Sequence, residues 1–148
     1  MGRVSRFALL LLAALLACST REEQSLNALL GRYNRELGRA RGSILLIPLD
    51  GCGTCIAPSV AFANESVSTP GLLVVASSLE RKRFGIHFTQ QASGSNHFIR
   101  DTLCLIQQLG LVATSPQVIF HEGGRVVSSH KVNPGNTDSL FRAIRDWH

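Results

Sequence analysis

The chain has 148 residues, 45% of them hydrophobic and 17% charged, with a formal net charge of +5. That length suits one domain and not two, and that composition buries a core, which excludes a disordered tail. No basic stripe is interleaved with aromatics, which are only 6% of the chain, so nucleic acid is excluded as a partner.

The first segment is set apart from the rest. Arg3 and Arg6 make a short basic start, and Phe7 to Ala17 is an unbroken apolar run of eleven residues. A spanning helix needs about 20 residues, so this run is too short to cross a bilayer. A basic start, a short apolar run and a small residue at its end form an export signal. Leu15-Leu16-Ala17-Cys18 resembles a bacterial lipobox, although the Leu two residues before the cysteine is larger than usual. That resemblance implies removal of residues 1–17 and a lipid on Cys18, which anchors the protein without a spanning helix. Ser19 stands where an Asp would mark inner-membrane retention. The expected location is therefore the bacterial cell envelope, facing the periplasm, with the outer membrane favoured. Without Arg3 and Arg6 the net charge falls from +5 to +3.

Residues 18–42 read as a tether and an amphipathic helix spanning Ser19 to Gly42. Leu26, Leu29, Leu30, Tyr33 and Leu37 fall at helical spacing, with arginines on the other faces. Ser43 to Leu49 is continuously apolar, as in a strand covered on both sides. After Asp50-Gly51 comes Cys52-Gly53-Thr54-Cys55, and Ile56 to Glu65 reads as a helix. Gly71 to Ala76 is a second buried strand. Ser77 to Gly85 forms a short helix stopped by Gly85 and carrying the solvated run Arg81-Lys82-Arg83. Residues 86–96 are ambiguous. His97 to Arg100 reads as a third strand, and Thr102 to Leu109 as a helix. Gln117 to His121 and Arg125 to Ser129 form a hairpin about Glu122-Gly123-Gly124. Asn136-Thr137-Asp138 caps a final helix, Ser139 to Trp147, whose Trp147 staples it to the domain.

Cys52 and Cys55 carry the chemistry. A cysteine between a buried strand and a helix start meets free backbone N–H groups and the positive end of the helix dipole. Both favour the thiolate and pull the pKa below its usual value of about 8.5. Cys52 is thus the attacking thiol, and Cys55, one turn on, can resolve a mixed disulfide. Gly53-Thr54 supplies no imidazole beside the thiolate, so a reductant or exchanger is expected over a strong oxidant.

SILLIPLDGCGTCIAPSVAF resembles the active-site strand and helix of thioredoxin-like proteins, and TSPQVIFHEGGRVVSSHKV resembles their second half. Within that superfamily the chain is similar to the exported TlpA-like branch, which includes small bacterial lipoproteins. The resemblance covers Ser43 to Trp147 and implies an α/β fold for residues 43–148. Expected is a three-layer α/β/α sandwich with a mixed central sheet, plus the N-terminal helix. It further implies that Pro116 is cis and faces the cysteines. Ser115 would then offer its backbone to a substrate strand, and protein thiols or disulfides of the envelope would be the partners. No cofactor is implied.

Three positions depart from the family's pattern. Gly51 stands where Trp is usual, and Leu46 where many members bury an acid that serves the resolving thiol. Pro58 lies three residues past Cys55 and not five. Proton transfer at Cys55 then falls to water or another group. These departures leave open a second class of function, a redox-inactive binding module of an envelope complex. A structural Cys52–Cys55 bridge would close too small a loop to stabilise much. A metal site would lack a second CxxC or a close His pair. Cys104, among apolar neighbours, reads as a buried small residue, and the five histidines as ordinary surface or partly buried side chains.

Overall fold

A computed structural model describes residues 20–147. Cys18 and the expected export signal lie outside the described residues.

The N-terminal helix α1 (Arg21–Arg32) starts where Thr20 accepts a hydrogen bond from the Glu23 N–H at 3.2 Å. This Thr-x-x-Glu start also places Glu22 and Glu23 at the positive end of the helix dipole. Leu26, Leu29 and Leu30 are wholly buried on one face. The helix was expected to run to Gly42, and it stops ten residues earlier. Asn34 takes a left-handed φ of 54°, and the Arg35 N–H turns back to the Leu30 carbonyl at 2.9 Å. Tyr33 and Leu37 keep apolar roles from irregular chain, which is why their spacing mimicked more helix. Gly42 is the first residue of a strand and not a helix stop.

Strands β1 (Gly42–Pro48), β2 (Leu72–Ser77), β3 (Phe98–Asp101), β4 (Gln117–Glu122) and β5 (Arg125–Lys131) form one sheet in the order β3-β2-β1-β4-β5. β1 pairs parallel to β2 (Leu45↔Val74) and antiparallel to β4 (Leu45↔Val118). β3 runs parallel to β2, and β5 antiparallel to β4 with a bulge at Phe120/His121. Gly123 and Gly124 join β4 to β5 with φ of 65° and 76°, the double positive φ that a two-residue hairpin turn requires.

The continuous apolar run of β1 is explained by two cores. Leu45 and Ile47 point to one face, where they meet α2 (Gly53–Ser66), α3 (Arg81–His87) and α6 (Thr137–Asp146) through Ile56, Phe84 and Ile144. Ile44 and Leu46 point to the other, against α1 and the short α5 (Leu105–Gln108). The molecule is the thioredoxin-like α/β/α sandwich with a mixed sheet.

Three further elements differ from expectation. Gly85 lies inside α3, and the ambiguous stretch contains a further turn, α4 (Gln90–Ser93), capped by the Thr89 hydroxyl. The helix expected over 102–109 is only α5, because Cys104 has a φ of 53° and starts it in the left-handed region. Trp147 does hold the last helix down: its indole N–H donates to the His121 carbonyl at 3.3 Å, and its ring packs on Phe120.

Candidate active site

β1 delivers the chain to the carboxyl edge of its parallel pairing, where open α/β sheets present their sites. The Gly51 N–H turns back to the Pro48 carbonyl at 3.0 Å, and Cys52 follows as the N-cap of α2. The Cys52 carbonyl accepts from Cys55 and Ile56 at 3.1 and 3.0 Å, so the helix begins at the first cysteine. No side-chain oxygen caps this end and no acidic residue occupies the first turn. The positive pole of a fourteen-residue helix therefore faces the Cys52 sulfur unopposed.

The two thiols are unequal. Cys52 is exposed, while Cys55 is 7% exposed. The Thr54 hydroxyl lies 3.2 Å from the Cys52 sulfur and 4.0 Å from that of Cys55. Hydrogen bonding from Thr54 is the largest influence lowering the Cys52 pKa, followed by the Cys55 thiol and the Cys55 backbone N–H. All three donate to the thiolate and steady it where it stands in water. Thr54 carries no charge, so the sequence signals this role only through its place one residue after the helix start.

The loop before β4 closes over the cysteines from the other side. The Cys52 N–H donates to the Thr114 carbonyl at 2.8 Å. That contact explains Gly51: a Cβ there would collide with the Thr114 carbonyl oxygen, so neither Trp nor Ala fits. Ser115 is half-buried and Pro116 buried in the same loop. The expected cis bond is corrected, since no peptide bond among the described residues is cis. Trans is the cheaper isomer of an X–Pro bond by about 0.5–1 kcal/mol. Here the loop meets both neighbours without the cis form, through Thr114 to Cys52 and through the Pro116 carbonyl to the Val132 N–H at 2.8 Å. The sheet order and register stand independently of that bond.

Behind the loop, Arg83 of α3 donates to the Leu49 carbonyl at 3.2 Å and pairs with Asp50 at 3.1 Å. It thereby braces the approach to Cys52, a role hidden in a sequence run that read as a solvated face. Leu46, at the position of the family's buried acid, is wholly buried among aliphatic side chains. Cys104 is not the buried helical residue expected; it is half-exposed at the start of α5. His121 departs from the ordinary surface role, being 8% exposed beneath β1 with its pKa lowered by burial. Among the described residues no three His, Cys, Asp or Glu side chains are grouped to hold a metal ion. Nor is any described helix long and apolar enough to cross a membrane.

No family model matches the chain, and no curated protein matches it. Solved structures do. A putative thiol:disulfide interchange protein DsbE from Chlorobium tepidum is 20% identical, with a TM-score of 0.48 over 72% of this chain and 78% of that one. Peroxiredoxin Q from Xanthomonas campestris is 13% identical, with a TM-score of 0.47 over 74% and 80%. A secreted Mycobacterium tuberculosis disulfide oxidoreductase, described as homologous to E. coli DsbE, is 11% identical, with a TM-score of 0.45 over 74% and 84%. These are similarities in the course of the backbone.

Proposed function

We propose that this chain is a lipid-anchored thiol–disulfide exchange protein of the bacterial cell envelope. One observation carries the reading: an exposed thiol with a lowered pKa caps a long helix, and a buried second thiol follows one turn later. In the reducing direction, the Cys52 thiolate attacks a disulfide of a partner protein. The Cys52–partner S–S bond forms, and the partner's other sulfur leaves as a thiolate and takes a proton from water. Cys55 then loses its proton to water and attacks the Cys52 sulfur. A Cys52–Cys55 disulfide forms, the partner's second thiolate departs, and two electrons have passed to the partner. The reverse sequence oxidises a partner dithiol. Ser115 and Pro116, beside the Thr114 contact, are the proposed backbone rest for the partner strand, and Cys18 is the proposed lipid attachment.

The test uses the full chain in detergent. With Cys55→Ser, reduced protein should accumulate a mixed disulfide with a disulfide-bonded protein such as insulin, joined through Cys52. Cys52→Ser should trap little and lose exchange. If neither variant traps and the native protein does not reduce insulin, the exchange reading is wrong. The redox-inactive binding module then takes its place, favoured by Leu46, which leaves Cys55 without a buried carboxylate partner.

A further inference from the structure

On the α1 side of the sheet, a cavity of about 700 Å³ opens between the start of α1, the chain that follows α5, and strands β4 and β5. The sheet register builds its charged wall. Gln117 of β4 lies opposite Lys131 of β5, and the Gln117 amide donates to the Glu22 carboxylate at 2.7 Å. Arg21, the residue before Glu22, and Lys131 are thereby gathered around one side chain, and both line the cavity. Both are exposed, and neither forms an ion pair among the described residues. Glu22 is the only acid of the lining among the described residues, and Gln117 holds its Oε1. Two neutral donors join the cations. One is the Ser25 hydroxyl; the other is Gln107, whose Oε1 accepts from the Ser77 hydroxyl at 2.8 Å and whose amide N–H groups remain to donate. The remaining wall is the segment 109–113, where Leu109 is half-buried and Ala113 exposed.

We infer that this cavity binds the headgroup of an anionic phospholipid, which rests on the lipid anchor proposed above and adds what the anchored domain touches. Two unpaired cations with neutral donors beside them select an anion. The apolar wall selects an anion that carries hydrocarbon, because Leu109 and Ala113 can cover the first acyl carbons and gain nothing from free phosphate. Place in the chain supplies the third argument. Arg21 is three residues beyond Cys18, and three residues reach at most about 11 Å. A lipid on Cys18 therefore keeps the start of α1 within the headgroup layer, where each basic side chain strengthens the hold on anionic lipid by about fivefold. Ala113 adjoins Thr114, whose carbonyl accepts from the Cys52 N–H. The headgroup and the reactive thiol thus lie on two sides of one loop, and a lipid bound here turns Cys52 towards disulfides near the bilayer.

The test is native mass spectrometry of the protein expressed from the full chain and released from nonionic detergent micelles, which reads acyl groups on Cys18 and bound phospholipid in one spectrum. Titrated with dihexanoyl phosphatidylglycerol, the protein should bind one molecule, about tenfold more tightly than dihexanoyl phosphatidylcholine. Inorganic phosphate should displace it only at concentrations about tenfold higher than its own. Arg21→Gln and Lys131→Gln should each weaken phosphatidylglycerol about fivefold and leave phosphatidylcholine unchanged. Lys82→Gln, exposed on α3 across the sheet, should change neither. Equal binding of the two lipids, or an unaltered affinity in both R21Q and K131Q, overturns the site. Phosphate that competes on equal terms overturns the lipid and leaves a site for free anions. Acylated protein that binds no phosphatidylglycerol removes the site and leaves the anchor; unacylated protein that binds it as expected removes the anchor and leaves the site.

Discussion

Thr54 touches both sulfurs, and its hydroxyl rather than a basic side chain is the chief reason the Cys52 thiol is acidified. A donor to the thiolate lowers the pKa, so removing it raises the pKa. Thr54→Val keeps the side chain's shape and loses the donor. The pH profile of iodoacetamide alkylation at Cys52 should move upward, and the rate near neutral pH should fall severalfold. An unmoved profile would leave the helix end as the whole cause. A second residue-scale device lies under α1. Asp101 is fully buried and accepts from the Tyr33 hydroxyl at 2.8 Å and the Ile106 N–H at 3.0 Å. Burial first, and then the bond to Asp101, raise the Tyr33 pKa, so the phenol remains a donor. Tyr33→Phe leaves the carboxylate one partner short and should cost about 1–3 kcal/mol, read as a lower denaturant midpoint with an unchanged slope.

Between elements, the narrowest fit is the meeting of the β1–α2 loop with the loop before β4. Gly51→Ala puts a methyl group into the Thr114 carbonyl and parts it from the Cys52 N–H. The variant should lose about 1–3 kcal/mol of stability, and its Cys52 alkylation profile should change as well. A stability equal to the parent's would mean the loops separate freely. This contact also marks what was legible in the sequence. The strand, the cysteines and the helix after them could be read from the apolar run and the CxxC at its end, because those signals are local. Gly51 stood out only as a departure, since its reason is a carbonyl 63 residues away in sequence. Arg83 read as a solvated side chain for the same cause: its partners Leu49 and Asp50 lie on another loop. The over-long α1 had the opposite origin. Tyr33 and Leu37 are buried or half-buried for tertiary reasons, and burial at helical spacing is all that periodicity records. Cys104 and Asn34 could not be read either, because left-handed backbone at a non-glycine residue leaves little mark on the sequence.

At the scale of the whole molecule, the proposed anchor and the pH response are separable. Cys18→Ala should abolish lipid labelling and leave the protein unprocessed; a variant still matured and membrane-bound as before would refute the lipoprotein reading. The pH response belongs to the folded domain and centres on His121, far from the cysteines along the sheet. Its ring lies under β1, where a Cβ on Gly42 would come within 2.5 Å of Nε2, and its Nδ1 is buried without a hydrogen-bond partner. Burial lowers its pKa from the ordinary 6.5, against a smaller opposing bond to the Gly38 backbone. The sign follows from that direction. Above about 6.5 the imidazole is neutral in both folded and unfolded chains and adds no pH dependence. As pH falls below that value the unfolded chain binds a proton at His121 that the folded chain refuses, so stability is lost until the lowered folded pKa is reached. Glu36, Arg35 and His97 line the same cavity of about 340 Å³ and are retained in the comparison. Between pH values of about 7.5 and 5.5, the Tm of the native protein should therefore drop further than that of His121→Gln. Parallel curves for the two proteins would show that the folded chain accepts the proton at this site without penalty.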